Sequence, residues 1–127
     1  MIVFYDDFNS RKIYTNPAYF DSAGCLQIQR YQVQDFCKLS AVNMCKGHIM
    51  KEFINQRQSN GFQYSKINYI GDGQNDFCPS LTLKNGDRIF PRSGFKLHQC
   101  LKSSAAIKAD IYPFVTGNDI QQVLSSS

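Results

Sequence analysis

Alternating strand-forming and helix-forming stretches predict an α/β fold, a parallel sheet covered by helices on both faces. Two observations carry this expectation. Strand-like runs at 66–70, 87–90 and 106–112 are separated by helical segments of about ten residues, long enough for the crossovers that parallel strands require. The run Ile67-Asn68-Tyr69-Ile70 also stops abruptly at Gly71-Asp72-Gly73. Glycines let the backbone bend tightly there, at the carboxyl edge of the sheet, where such folds bind ligands.

The elements follow in order. Residues 1–11 are ambiguous, since Ile2, Val3 and Phe4 suit either a helix end or a short strand. Residues 12–15 read as a strand stopped by Asn16-Pro17. Asp21-Ser22-Ala23-Gly24 resembles a hairpin turn leading into a strand at 26–31. A helix is expected at 43–60, with Met44, Ile49, Phe53 and Ile54 as its apolar stripe and Asn60-Gly61 as its stop. After the strand at 66–70, a short helix at 76–84 tolerates Pro79 in its first turn. Residues 87–90 form the next strand, 95–103 a helix and 106–112 another strand. Asn118 can cap a last helix ending at Leu124, and 125–127 read as a disordered tail.

With 127 residues the chain supports one modest core, so residues 1–124 are expected to form one domain or part of one. A hydrophobic content of 43% and a charged content of 19% fit a soluble globular protein. The net charge of +4 is scattered with no run of like sign, which argues against a nucleic-acid surface. No apolar stretch approaches the roughly 20 residues of a membrane span, and no signal-peptide pattern opens the chain. The expected location is therefore the cytoplasm. Cys25, Cys37, Cys45, Cys78 and Cys100 are odd in number and irregularly spaced, which favours thiols over a disulfide framework. His48, three residues beyond Cys45, could share a metal with it, but a buried thiol beside a surface imidazole is the commoner arrangement.

Residues 71–76 admit three readings. A dinucleotide fingerprint fails, because glycine would be needed where Asp76 stands and two carboxylates would repel a pyrophosphate. A plain turn is plausible on composition alone. The third reading is a Mg²⁺ site for phosphoryl chemistry, with Asp72 and Asp76 as hard oxygen ligands and Lys46, on the preceding helix, as a cation.

The stretch Tyr69-Ile70-Gly71-Asp72-Gly73-Gln74-Asn75-Asp76-Phe77-Cys78-Pro79 resembles the fourth motif of the haloacid-dehalogenase phosphatases. More narrowly, it is similar to the phosphoethanolamine/phosphocholine phosphatases and their pyridoxal-phosphate phosphatase relatives. Tyr14-Thr15-Asn16-Pro17, Asn43-Met44-Cys45-Lys46 and the segment from Phe90-Pro91-Arg92 to Gly94-Phe95 match in family order, so the resemblance runs from about Ile13 to the C-terminus. The aspartate-glycine element is common to the whole superfamily. Phe77-Cys78-Pro79 and Asn43-Met44-Cys45-Lys46 are far more specific.

The resemblance implies a Rossmann-like parallel sheet with flanking helices and hydrolysis of a small phosphorylated metabolite through an aspartyl-phosphate. It implies Mg²⁺ as cofactor, Asp72 as metal ligand and Asp76 as a second acidic position, either a hydrogen-bond acceptor or an outer-shell metal partner. Lys46 would offset charge on nucleophile and phosphate, and Asn75 would contact the phosphate. Neither a nucleic acid nor a membrane is implied as partner. The family's first motif, Asp-x-Asp-x-Thr, does not occur in these 127 residues. Val3-Phe4-Tyr5-Asp6-Asp7-Phe8-Asn9 imitates it, but adjacent carboxylates on a strand point to opposite faces. The chain thus reads as the C-terminal portion of such a phosphatase, without its first strand and cap, and inactive alone. Cys37-Lys38-Leu39-Ser40 departs as well, because relatives commonly have Cys-x-x-Cys there. Lys46 and Asp72 are expected to converge on one cleft, within reach of a single phosphate.

Overall fold

A computed structural model describes residues 1–6 and 11–126 of the chain. Asp7, half of the adjacent carboxylate pair, lies outside the described residues, as does Ser127. The chain divides into two compact units, Met1–Cys45 and Lys46–Ser127.

The first unit is built from antiparallel hairpins. β1 (Ile2–Tyr5) pairs with β2 (Arg11–Tyr14), Ile2 opposite Tyr14 and Tyr5 opposite Arg11. β3 (Ala18–Phe20) pairs with β4 (Leu26–Ile28). The expected turn at Asp21 forms because the Asp21 carboxylate accepts the Ala23 and Cys25 N–H groups, both at 2.9 Å, and the Gln27 amide at 3.0 Å. The Cys25 N–H, followed by Gln27, holds the Asp21 pKa below its usual value. These four strands do not join the parallel sheet, and the strand expected at 26–31 stops at Ile28. Hairpin connections are short, and short connections enforce antiparallel pairing.

The second unit carries the parallel sheet. β5 (Asn68–Gly71), β6 (Arg88–Pro91) and β7 (Asp110–Ile111) lie in that order and are parallel throughout, with Gly71 opposite Pro91 and Ile89 opposite Ile111. Between β5 and β6 come a single 3-10 turn (Gln74–Asp76) and α2 (Phe77–Leu81); α3 (Lys96–Lys102) links β6 to β7. The unit begins with α1 (Lys46–Ser59) and ends with α4 (Gly117–Ser125). All four β6 residues are buried, Ile89 and Phe90 completely. On β5, by contrast, Tyr69 is buried while Ile70 is 52% exposed, so full cover on both faces is limited to the central strand.

Several boundaries differ from the sequence reading for identifiable reasons. α1 starts at Lys46 rather than residue 43, and Ile49, Met50 and Phe53 are its buried apolar residues, with Ile54 only half-buried. Its stop at Asn60-Gly61 is as expected: Gly61 takes φ +87°, and Phe62 N–H returns to the Arg57 carbonyl at 3.0 Å. The strand expected at 106–112 reduces to two residues. Asp87 precedes β6 instead of opening it, because its carboxylate accepts the Ile67 and Lys84 N–H groups at 2.9 and 2.8 Å. α4 is capped from Thr116, not Asn118, and runs through Ser125, one residue into the expected tail. Cys45 is buried, and the His48 imidazole faces Glu52 at 3.0 Å, one helical turn on. Among the described residues, no helix is long and apolar enough to cross a membrane.

Candidate active site

The site grows out of the end of β5. Alternation along the strand turns Tyr69 inward and Ile70 outward. Beyond Gly71 the chain bends back so that the Asp76 side chain folds under the strand end. This approach needs glycine: a Cβ at Gly71 would lie 2.6 Å from Asp76 Cγ. The loop is pinned from both sides by backbone groups. Arg92 N–H donates to the Gly71 carbonyl at 3.0 Å, and Leu97 N–H, in the first turn of α3, donates to the Asp72 carbonyl at 2.9 Å.

Asp76 is the centre of the arrangement. Its Oδ1 accepts the Lys46 ammonium at 2.9 Å and the Tyr69 hydroxyl at 2.7 Å. Its Oδ2 accepts the backbone N–H groups of Asp72 at 3.0 Å and Gly73 at 3.1 Å. A carboxylate offers about four lone-pair positions, so this one is fully used. Burial by itself would raise its pKa. The Lys46 and Tyr69 hydrogen bonds, the Lys46 charge and the Gly73 N–H outweigh burial, and the net shift is downward. Burial, then the Asp76 charge, pushes the Tyr69 phenol well up, so it stays a donor.

Lys46 is the first residue of α1, and its side chain is only 12% exposed against 5% for Asp76. The close seat of α1 is set by Gly47, where a Cβ would meet Cys78 Sγ at 2.7 Å. Lys46 gives one of its three donors to Asp76; among the described residues nothing takes the other two. Asp72 is exposed at the strand end, and its carboxylate has no partner among the described residues. Asn75 is exposed on the same 3-10 turn.

Lys46 and the Asp72 backbone are thus bridged by a single carboxylate, and the two acidic residues divide their work. Asp72 presents an exposed carboxylate, whereas Asp76 is an internal acceptor. The sequence reading assigned nothing to Tyr69. The signal available was its position: strand alternation puts it on the same buried face as the turn it supports. Its bond to a residue seven positions on depends on the bend between them.

A family model described as "Putative Phosphatase" matches residues 3–127. The chain belongs to this phosphatase family. Over 120 residues it is 38% identical to the Danio rerio protein named "Probable phosphatase phospho1", covering 89% of this chain and 43% of that relative. The Mus musculus protein named "Pyridoxal phosphate phosphatase PHOSPHO2" is 42% identical over 98 residues, 77% of this chain and 39% of the relative. The Homo sapiens "Phosphoethanolamine/phosphocholine phosphatase" is 32% identical over 125 residues, 91% of this chain and 46% of the relative. The chain therefore spans less than half the length of these members of the phosphatase family. No solved structure matches it.

Proposed function

We propose that this chain supplies the lysine and metal-ligand half of a Mg²⁺-dependent phosphatase site, within a haloacid-dehalogenase core acting in the cytoplasm on a small phosphomonoester. The observation that carries the reading is the bridge at Asp76, which takes the Lys46 ammonium on one oxygen and the Asp72 backbone N–H on the other, at the end of a parallel strand. Relatives whose names specify phosphoethanolamine/phosphocholine and pyridoxal phosphate give the substrate class.

Asp72 fits Mg²⁺ as a direct ligand, because its oxygens are exposed and uncommitted. Asp76 fits only as an outer-shell partner, since its oxygens already accept four hydrogen bonds. When bound, the ion neutralises phosphate charge and steers the ester towards a carboxylate nucleophile. Lys46 orients its two remaining donors to phosphate oxygens and offsets charge that builds on them. Asn75 contributes a further polar contact. Attack by an aspartate and hydrolysis of the acyl phosphate require the Asp-x-Asp-x-Thr carboxylates, which these 127 residues do not contain.

Phosphate release with Mg²⁺ tests the reading. The chain alone should turn over no phosphomonoester, and fusion to the first-motif segment of the human relative should restore hydrolysis. Lys46→Ala or Asp72→Asn in the fusion should then remove at least about 100-fold, the size of a lost electrostatic donor. Full activity in either variant, or turnover by the short chain that depends on Asp6, would overturn it. We also weigh a second reading, a non-catalytic protein that binds Mg²⁺ and phosphate without turnover. Its mark would be calorimetric binding of Mg²⁺ with inorganic phosphate by the chain alone, and no activity in the fusion.

A further inference from the structure

Within the first unit two thiols lie close enough to react. The Sγ atoms of Cys37 and Cys45 are within 4.8 Å of each other. Cys45 is 2% exposed, while Cys37 is half-buried and contacts Ser40 Oγ at 3.3 Å. Both ends of the segment joining them are pinned. Buried Gln34 accepts Cys37 N–H at 2.9 Å and donates to the carbonyls of Cys37, Ser40 and Ala41 at 3.2, 3.2 and 2.8 Å. Gln32 Oε1 takes Cys45 N–H at 2.6 Å. The two sulfurs are thus presented to each other by a backbone that side-chain amides hold in place.

A disulfide needs about 2.05 Å between sulfurs. Moving one Sγ between staggered rotamers displaces it by about 3 Å, enough to close the gap without moving the pinned backbone. Cys37 has the room, because it sits in a turn and is only half-buried.

We propose that Cys37 and Cys45 form a reversible intrachain disulfide in the presence of a disulfide oxidant of the glutathione type. The Cys37 thiolate attacks one sulfur of oxidised glutathione; that S–S bond breaks and one glutathione thiolate leaves. The Cys45 thiolate then attacks the Cys37 sulfur and expels the second glutathione. The two protons lost by the protein are taken by the departing thiolates, and the two electrons reduce one oxidised glutathione to two reduced ones. Cys45 immediately precedes Lys46, so the cross-link fixes the residue that leads into α1.

The full chain is equilibrated in glutathione buffers from reducing to oxidising, acid-quenched, labelled with a maleimide and digested with trypsin without reduction. Cleavage after Arg30, Lys38 and Lys46 puts the two cysteines on separate peptides, so the bridge is read directly as a linked pair. Loss of two of the five thiols, with peptide 31–38 joined to peptide 39–46, is expected. Reduction should reverse it, and Cys37→Ser should abolish it while leaving Cys45 unmodified and the circular dichroism unchanged. A bridge from Cys45 to any other cysteine would overturn the proposal. So would Cys37 and Cys45 both remaining thiols in a buffer that glutathionylates exposed Cys25.

Discussion

Asp76 and Asp72 are four positions apart and identical in type, yet substitution should separate them sharply. Asp76→Asn leaves Lys46 largely buried without its counter-charge and turns one acceptor oxygen into a donor facing existing donors. We expect a loss of about 3 kcal/mol in denaturant-monitored unfolding, the range for breaking a buried ion pair. Tyr69→Phe removes one hydrogen bond to a charged acceptor and should lose about 1.5 kcal/mol. Gly71→Ala forces a Cβ against Asp76 Cγ, and the overpacking should remove about 1–3 kcal/mol. Asp72→Asn, at an exposed and unpartnered side chain, should stay within about 0.5 kcal/mol of the parent. Equal destabilisation by Asp72→Asn and Asp76→Asn would contradict the division between an internal acceptor and an open carboxylate.

At the scale of elements, α4 is the case where local chemistry decides most, because none of its residues is buried. The Asp119 carboxylate accepts the Thr116 N–H at 3.0 Å and the Val115 N–H at 2.8 Å. Those two bonds, Thr116 first, hold its pKa below the usual value. A depressed folded-state pKa gives a contribution that is complete above the unfolded aspartate value, about 3.9, and lost as pH falls through the lowered folded value. The amide proton shifts of Val115 and Thr116 should therefore titrate together below the normal aspartate range, with helical signal falling in step. Asp119→Asn should remove that titration; its persistence would locate the cap elsewhere. Asn118 lies one residue inside the helix, and it is Asp119, reaching back to the Thr116 N–H, that closes the first turn.

At the scale of the molecule, the first unit leaves Tyr5, Phe20, Ile28 and Val33 more than 60% exposed, and β5 is an edge strand of its sheet. Apolar surface of this kind and an open strand edge both favour association. The chain by itself should enhance the fluorescence of an anilinonaphthalene dye and sediment as concentration-dependent oligomers. Phe20→Ser with Ile28→Ser should lower both signals. A monomeric, dye-silent parent would show that these side chains are covered in solution.

Much of the local structure was legible because its signals are short-range. A β-forming run ended by Gly71-Asp72-Gly73, a helix stopped by Asn60-Gly61 and a turn set by Asp21 follow from backbone preference and short-range hydrogen bonds. Specific motif residues likewise pointed to the phosphatase family. Three things were beyond the sequence. One is that the hairpins of the first unit pair into two-stranded sheets of their own. Another is the shortening of β7 to two residues. The last is the distinction between Asp72 and Asp76, which rests on four donors brought to one carboxylate from α1, β5 and the loop after it. Sequence determines which groups can accept a hydrogen bond or hold a cation. Only the tertiary structure decides which are already satisfied, because burial and partners separated by up to 30 positions settle that balance.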